Sequence, residues 1–207
     1  MSLGWATTFA DRVYGLWLPT QLVALFSVVV ARPSAAKARA LTCYAAAWFL
    51  LGVVAAMLLS SAGPVFHDRV FGGARFAGLH AALLRHDAWM VAKTADAMWA
   101  AHASGRLGPI SGISALPSMH VAISLWMALT ARTLAPRMAP FAWAYCAFIW
   151  VASVQLGWHY ASDGLAGVAG MLMIWFAVRD SRFEGAATSS SSMSGTASTT
   201  PSTPQSA

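Results

Sequence analysis

Five stretches of this chain, 13–31, 40–63, 119–135, 139–157 and 160–178, run for 17 to 24 residues each, and between them they hold only two Asp, Glu, Lys or Arg side chains, Arg132 and Asp163. A helix needs about 20 mostly apolar residues to cross a bilayer. A soluble fold of 207 residues would need a charged surface, and 10% charged residues is far below the roughly one quarter of soluble domains. Disorder is excluded for most of the chain, because 58% of it is hydrophobic and aromatic rings are common. The expected fold is all-α: a polytopic membrane helix bundle of about five spans.

The boundaries follow from punctuation. Arg12 precedes the first run and Arg32-Pro33 follows it; Asp11 offsets Arg12 and the run is long for a secretory signal, so it reads as a retained span. Gly63-Pro64 ends the second run, and Pro136 and Pro140 mark the turn between the third and fourth. The organisation is therefore an N-terminal segment 1–12, a membrane-embedded domain 13–178 with a long loop 64–118, and a polar tail 179–207. From residue 185 onward the tail is nearly all Ser, Thr, Ala, Pro and Gly, a composition that reads as disordered. In the long loop, Phe76, Leu79 and Leu83 share one helical face, and Val91, Ala95, Met98 and His102 another. These are short amphipathic helices, lying on the membrane surface or packed against the spans, the second capped by Asp87 and ended by Gly105.

Lys and Arg in short loops set orientation. Arg32, Lys37, Arg39, Arg132, Arg137, Arg179 and Arg182 fall on one set of ends, which is then cytoplasmic together with the tail. The loop 64–118 and the turn 157–160 lie outside. The net charge of +6 is scattered at the ends of apolar runs rather than gathered in a stripe, so the partner it points to is anionic lipid, not nucleic acid. Cys43 and Cys146 sit inside apolar runs and read as small buried hydrophobes.

Three ionisable residues stand at the outer mouths of spans: His120, His159 and Asp163. Polar groups at membrane depth are costly and mark function. One crossing in and one crossing out separate His120 from His159, so the hairpin returns them to the same leaflet. His159 and Asp163 are four apart and share a helix face, where the carboxylate can accept Nδ1–H and leave Nε2 free as a nucleophile. Pro117 suits a first helical turn, whose N–H groups favour an anion, and Ser118 adds a hydroxyl donor. Together these describe phosphoryl transfer. Gly164, Gly167 and Gly170 let spans pack closely.

Pro117-Ser118-Met119-His120 resembles the Pro-Ser-x-His motif of the type 2 phosphatidic acid phosphatase superfamily, and His159-x-x-x-Asp163 resembles its closing His-x-x-x-Asp motif. The wider wording, Ser114 to His120, Gly157-Trp158-His159-Tyr160 and Gly63-Pro64-Val65-Phe66, is similar to the inositol phosphorylceramide synthase-like branch. The resemblance implies that His159 attacks phosphorus, Asp163 supports it, His120 protonates the leaving oxygen and Ser118 binds phosphate. It implies a phosphorylated lipid substrate, with water or an alcohol as acceptor, and neither cofactor nor metal. Basic residues of the broad pattern stand elsewhere: Leu25 is where a Lys precedes Arg32-Pro33, and Ser153 is where an Arg precedes His159. Arg69 of the outer loop, with Arg75 and Arg106 behind it, is left to hold the phosphate. Two other readings stay open. One is a metal site made by His120, His159 and Asp163; the other is a lipid-binding protein without activity.

Overall fold

A computed structural model describes residues 4–105 and 113–178. The tail 179–207 and Arg106 lie outside the described residues, as do Arg179 and Arg182. Among the described residues the regular structure is helical, with one isolated bridge, Ala62 with Ser114. In chain order the helices are α1 (Gly4–Gly15), α2 (Trp17–Val30), α3 (Ala35–Leu58), α4 (Pro64–Phe71), α5 (Ala77–Arg85), α6 (Trp89–Ala103), α7 (Met119–Leu134), α8 (Ala139–Gln155) and α9 (Ala161–Ala177).

Helix α7 is the axis of the bundle. Every residue from Val121 to Thr130 is buried, because α2, α3, α8 and α9 pack around it. A helix apolar on all sides can be covered this way only in the middle of a bundle. The indole N–H of Trp126 donates to the carbonyl of Ala40 at 2.8 Å, tying α7 to α3. Outward faces of the surrounding helices are oily instead: Phe26, Phe49, Met57, Phe141, Val151 and Phe176 are all exposed. A continuous apolar exterior of this kind suits lipid rather than water.

Two helical stretches are long and apolar enough to cross a membrane, Ala35–Leu58 and Pro136–Gln155. The α1–α2 pair makes a third if it is one span, bent by 42°. Helices α7 and α9, with 16 and 17 residues, are shorter than the roughly 20 that a full crossing takes. The expected straight first span is thus a bent pair that begins earlier, at Gly4. Pro19 supplies the cause, since its ring cannot sit against the carbonyl of Gly15 four residues back in a continuous helix. In α3 the stretch Trp48–Ala55 is wound as a π-helix, a form that often accompanies functional sites.

Arg32, Lys37, Arg39, Arg132 and Arg137 stand at one end of the bundle. Lys37 donates to the carbonyls of Val29 and Ala31 at the end of α2, and Arg39 donates to Trp175 near the end of α9, its guanidinium 4.4 Å from that indole ring. At the other end, the loop helices pack on the bundle rather than lying apart from it. Leu83 joins the main core, and Val91, Ala92 and Ala95 of α6 are buried, whereas His102 is exposed. Gly105 takes the positive φ of 66° expected past a helix end.

Asp87 does not cap α6. It adopts φ 56° outside the helix, and no side chain of the Ala88 N-cap bonds the first turn. The cap comes from Asp11 of α1, whose carboxylate accepts from the amides of Met90 at 3.1 Å and Val91 at 2.8 Å. Thr8 donates to the carbonyl of His86 at 2.6 Å, and Arg12 lies 3.7 Å from Asp87, so α1 grips the whole turn.

Candidate functional site

Backbone hydrogen bonds bring the two motifs together. The Ser118 amide donates to the Asp163 carbonyl at 3.0 Å, which pins the start of α7 to the first turn of α9. The Ala115 amide donates to Ser61, and the Val65 amide to Gly157, which ties the ends of the long loop to the α8–α9 turn. Two glycines are required here. Gly157 holds φ 76°, and Gly63 lets the chain pass so close to the Trp158 carbonyl that a Cβ would collide with it. Gly167 lies against the Ser118 carbonyl, and Gly164 against the Trp150 indole, which is the close packing expected of those positions.

His120 and His159 meet as the hairpin requires, with ring centroids 5.8 Å apart. His159 is 7% exposed, and its Nδ1–H donates to the carbonyl of Ala115 at 2.8 Å. That bond fixes the tautomer and leaves the Nε2 lone pair free. Asp163 was expected to accept this proton, and it does not: its carboxylate is 3.8 Å from Nδ1. Oδ2 of Asp163 instead accepts the Tyr160 amide at 2.8 Å, closing the first turn of α9. The carboxylate therefore acts on His159 as a buried neighbouring charge and as the device that shapes the turn carrying it.

Ser118 and Pro117 are also placed differently from the sequence expectation. Pro117 precedes the helix, Ser118 is its N-cap, and the first helical residue is Met119. Ser118 is completely buried, and its hydroxyl oxygen accepts from the Val121 amide at 3.4 Å. Accepting that bond starts α7, as N-cap serines commonly do, and uses the oxygen rather than the hydroxyl proton of Ser118.

Arg69 is not brought to the histidines. It lines a separate cavity of about 260 Å³ with Asp68, Phe76 and His80, pairs with Asp96, and lies 5.9 Å from the Trp99 ring. Arg75 rests 5.8 Å from the Phe76 ring. Three residues that sequence reasoning did not single out take places at the site. Tyr14 stacks on His120 at 4.6 Å with planes 16° apart, Trp17 covers it at 4.1 Å, and the Trp17 indole N–H donates to the His120 carbonyl. Asp11 is the third. The histidines open on a cleft of about 660 Å³ that these residues, Trp48, Phe66 and Trp158 help to line. Among the described residues no three His, Cys, Asp or Glu side chains are grouped to hold a metal ion.

A family model described as the PAP2 superfamily matches residues 1–177, which takes in all but the last of the described residues. Its membership suggests a phosphatase-type activity. Neither curated proteins nor solved structures yield a match to this chain.

Proposed function

The chain belongs to the PAP2 superfamily, and from that premise we propose that it is a multi-pass membrane lipid phosphatase or phosphotransferase working through a phosphohistidine. The observation that carries this reading is the pair of histidines facing each other across one cleft, with His159 Nδ1–H already engaged by Ala115. A phosphoryl group between rings 5.8 Å apart can touch both. Nε2 of His159 attacks phosphorus; the bond to the lipid oxygen breaks; His120 gives that oxygen its proton. Water or an alcohol, losing its proton to His120, then attacks the phosphohistidine and frees His159. The lipid enters sideways, its chains remaining among the exposed apolar side chains of α2 and α3. Arg32, Lys37, Arg39, Arg132 and Arg137 all belong to the far ends of the spans, which supports an outer-face site by the positive-inside rule.

A panel of lipid phosphates and phosphodiesters presented to the detergent-solubilised chain tests this directly. Free phosphate or a transferred head group is expected, inhibited by vanadate; release from none of them overturns the reading. The metal alternative loses support, because Asp163 is turned toward the Tyr160 amide rather than toward His120.

The tautomer bond gives a second expectation. Where a carboxylate alone fixes a catalytic histidine, changing it to the amide costs about 10⁴-fold in turnover. Here Ala115 fixes the ring, and Asn at 163 can still accept the Tyr160 amide. Asp163→Asn should therefore lose about tenfold in kcat with KM little changed. A loss near 10⁴-fold would show that the carboxylate takes the proton after all.

A further inference from the structure

A hydrogen bond fixes the ring of His159, whereas neither ring nitrogen of His120 makes one among the described residues. What holds the His120 ring is aromatic. Tyr14 stacks on it with centroids 4.6 Å apart and planes 16° from parallel, and Trp17 lies 4.1 Å from it at 38°. The Trp17 indole N–H also donates to the His120 carbonyl at 3.2 Å, tying the same residue by its backbone. Both aromatic residues are themselves buried, at 7% and 6% exposure, and Trp48 of α3 packs on Trp17 with centroids 6.5 Å apart.

Their places in the chain explain how they reach it. Tyr14 stands at the end of α1 and Trp17 at the start of α2, so they straddle the 42° bend. Residues three apart share a helix face, and here the bend falls between them while α2 packs on α7. Three residues before Tyr14, the Asp11 carboxylate fastens α1 to the amides of Met90 and Val91 in α6. The two rings thus come to His120 on a mount that a separate helix holds still.

We propose that Tyr14 and Trp17 are positioning residues that aim the His120 N–H at the leaving oxygen. This rests on the catalytic reading above and adds residues that the two motifs do not contain. In that step Nε2 of His159 bonds to phosphorus, the P–O bond to the leaving group breaks with its electron pair, and the proton of His120 goes to that oxygen. Proton delivery depends steeply on aim, and a misplacement of about 1 Å can cost about 10²-fold. The demand falls only on leaving groups that need the proton. An alkoxide leaves poorly without it, whereas p-nitrophenolate is stable at neutral pH and leaves unaided. A loosened His120 therefore shows as a selective loss on alkyl esters.

The test measures kcat/KM, which covers the steps up to the phosphohistidine, with the full chain in detergent micelles. Tyr14→Leu should lower it about tenfold more for phosphatidic acid than for p-nitrophenyl phosphate, and Trp17→Leu should do the same. Each comparison is a ratio within one preparation, so a smaller folded fraction cancels. Tyr14→Phe keeps the stack and should restore the wild-type ratio. Carbethoxylation of His120 by diethyl pyrocarbonate, followed by peptide mass spectrometry, should be severalfold faster in Tyr14→Leu than in wild type or Tyr14→Phe. Equal losses on the two esters overturn the inference, because Tyr14 would then be packing alone. A Tyr14→Phe variant as impaired as Tyr14→Leu overturns it too, because the hydroxyl would then be the active part. Faster labelling in a chain that turns over neither ester supports the hold on His120 and overturns the catalytic reading; equal labelling in all three forms overturns the hold.

Discussion

His159→Ala should abolish turnover, with kcat falling by about 10⁴-fold or more, the scale seen when a covalent nucleophile is removed from a catalytic unit. The structure lets this loss be separated from misfolding. Alanine also removes the Nδ1–H bond to Ala115, made at 2.8 Å in a buried setting, and so costs about 1 kcal/mol of stability. His159→Asn can keep that bond, because its amide nitrogen reaches the place of Nδ1, yet it has no Nε2. Both variants should be equally inactive, with the asparagine form melting closer to wild type. Brief incubation of the wild type with a phosphorus-labelled lipid, then denaturation, should trap an acid-labile label that neither variant shows. Activity of His159→Ala within tenfold of wild type would remove His159 as nucleophile.

The meeting of His120 and His159 was readable from the sequence because it needs only topology. Two apolar runs joined by a prolyl turn must return the chain to its starting leaflet, whatever the packing. The bend in the first span was equally open to reading, since Pro19 obstructs the Gly15 carbonyl in any continuous helix. What takes the His159 proton was not, because its acceptor is a backbone carbonyl 44 residues away in a loop. An i,i+4 carboxylate is a sound expectation, but a residue three past an N-cap is also well placed to close a capping box, and that local bond won. Ser118 makes a local bond as well, its oxygen accepting from its own helix, a role compatible with donating its hydroxyl proton elsewhere. Arg69 carries no motif that ties it to the histidines, and a nearby Asp96 engages it.

Tyr14, Trp17 and Asp11 carried no motif, and their roles depend on how α1 and α2 fold back over α7. One signal was there: Asp11 is among only seven acidic residues and sits at the edge of an apolar run. In the fold it is 2% exposed and its two oxygens serve the amides of Met90 and Val91. Asp11→Ala leaves both buried donors without a partner and removes an anion from a helix N-terminus, which together should cost about 3 kcal/mol. Asp11→Asn retains one acceptor and should cost about half of that. The effect should also reach the chemistry, because the same helix pair carries Tyr14 and Trp17 onto His120 at 4.6 Å and 4.1 Å. Turnover per folded molecule should drop in Asp11→Ala through kcat. Leu83→Ala is the comparison: it empties a fully buried site on α5, a helix that carries neither His120 nor its aromatic cover, and costs about 2–5 kcal/mol. Thermal unfolding in detergent beside kcat and KM on the same preparations separates the two. Equal stability loss with unchanged kcat in both variants would mean that Asp11 only fastens α6; a kcat loss confined to Asp11→Ala would mean that it also holds His120 in place.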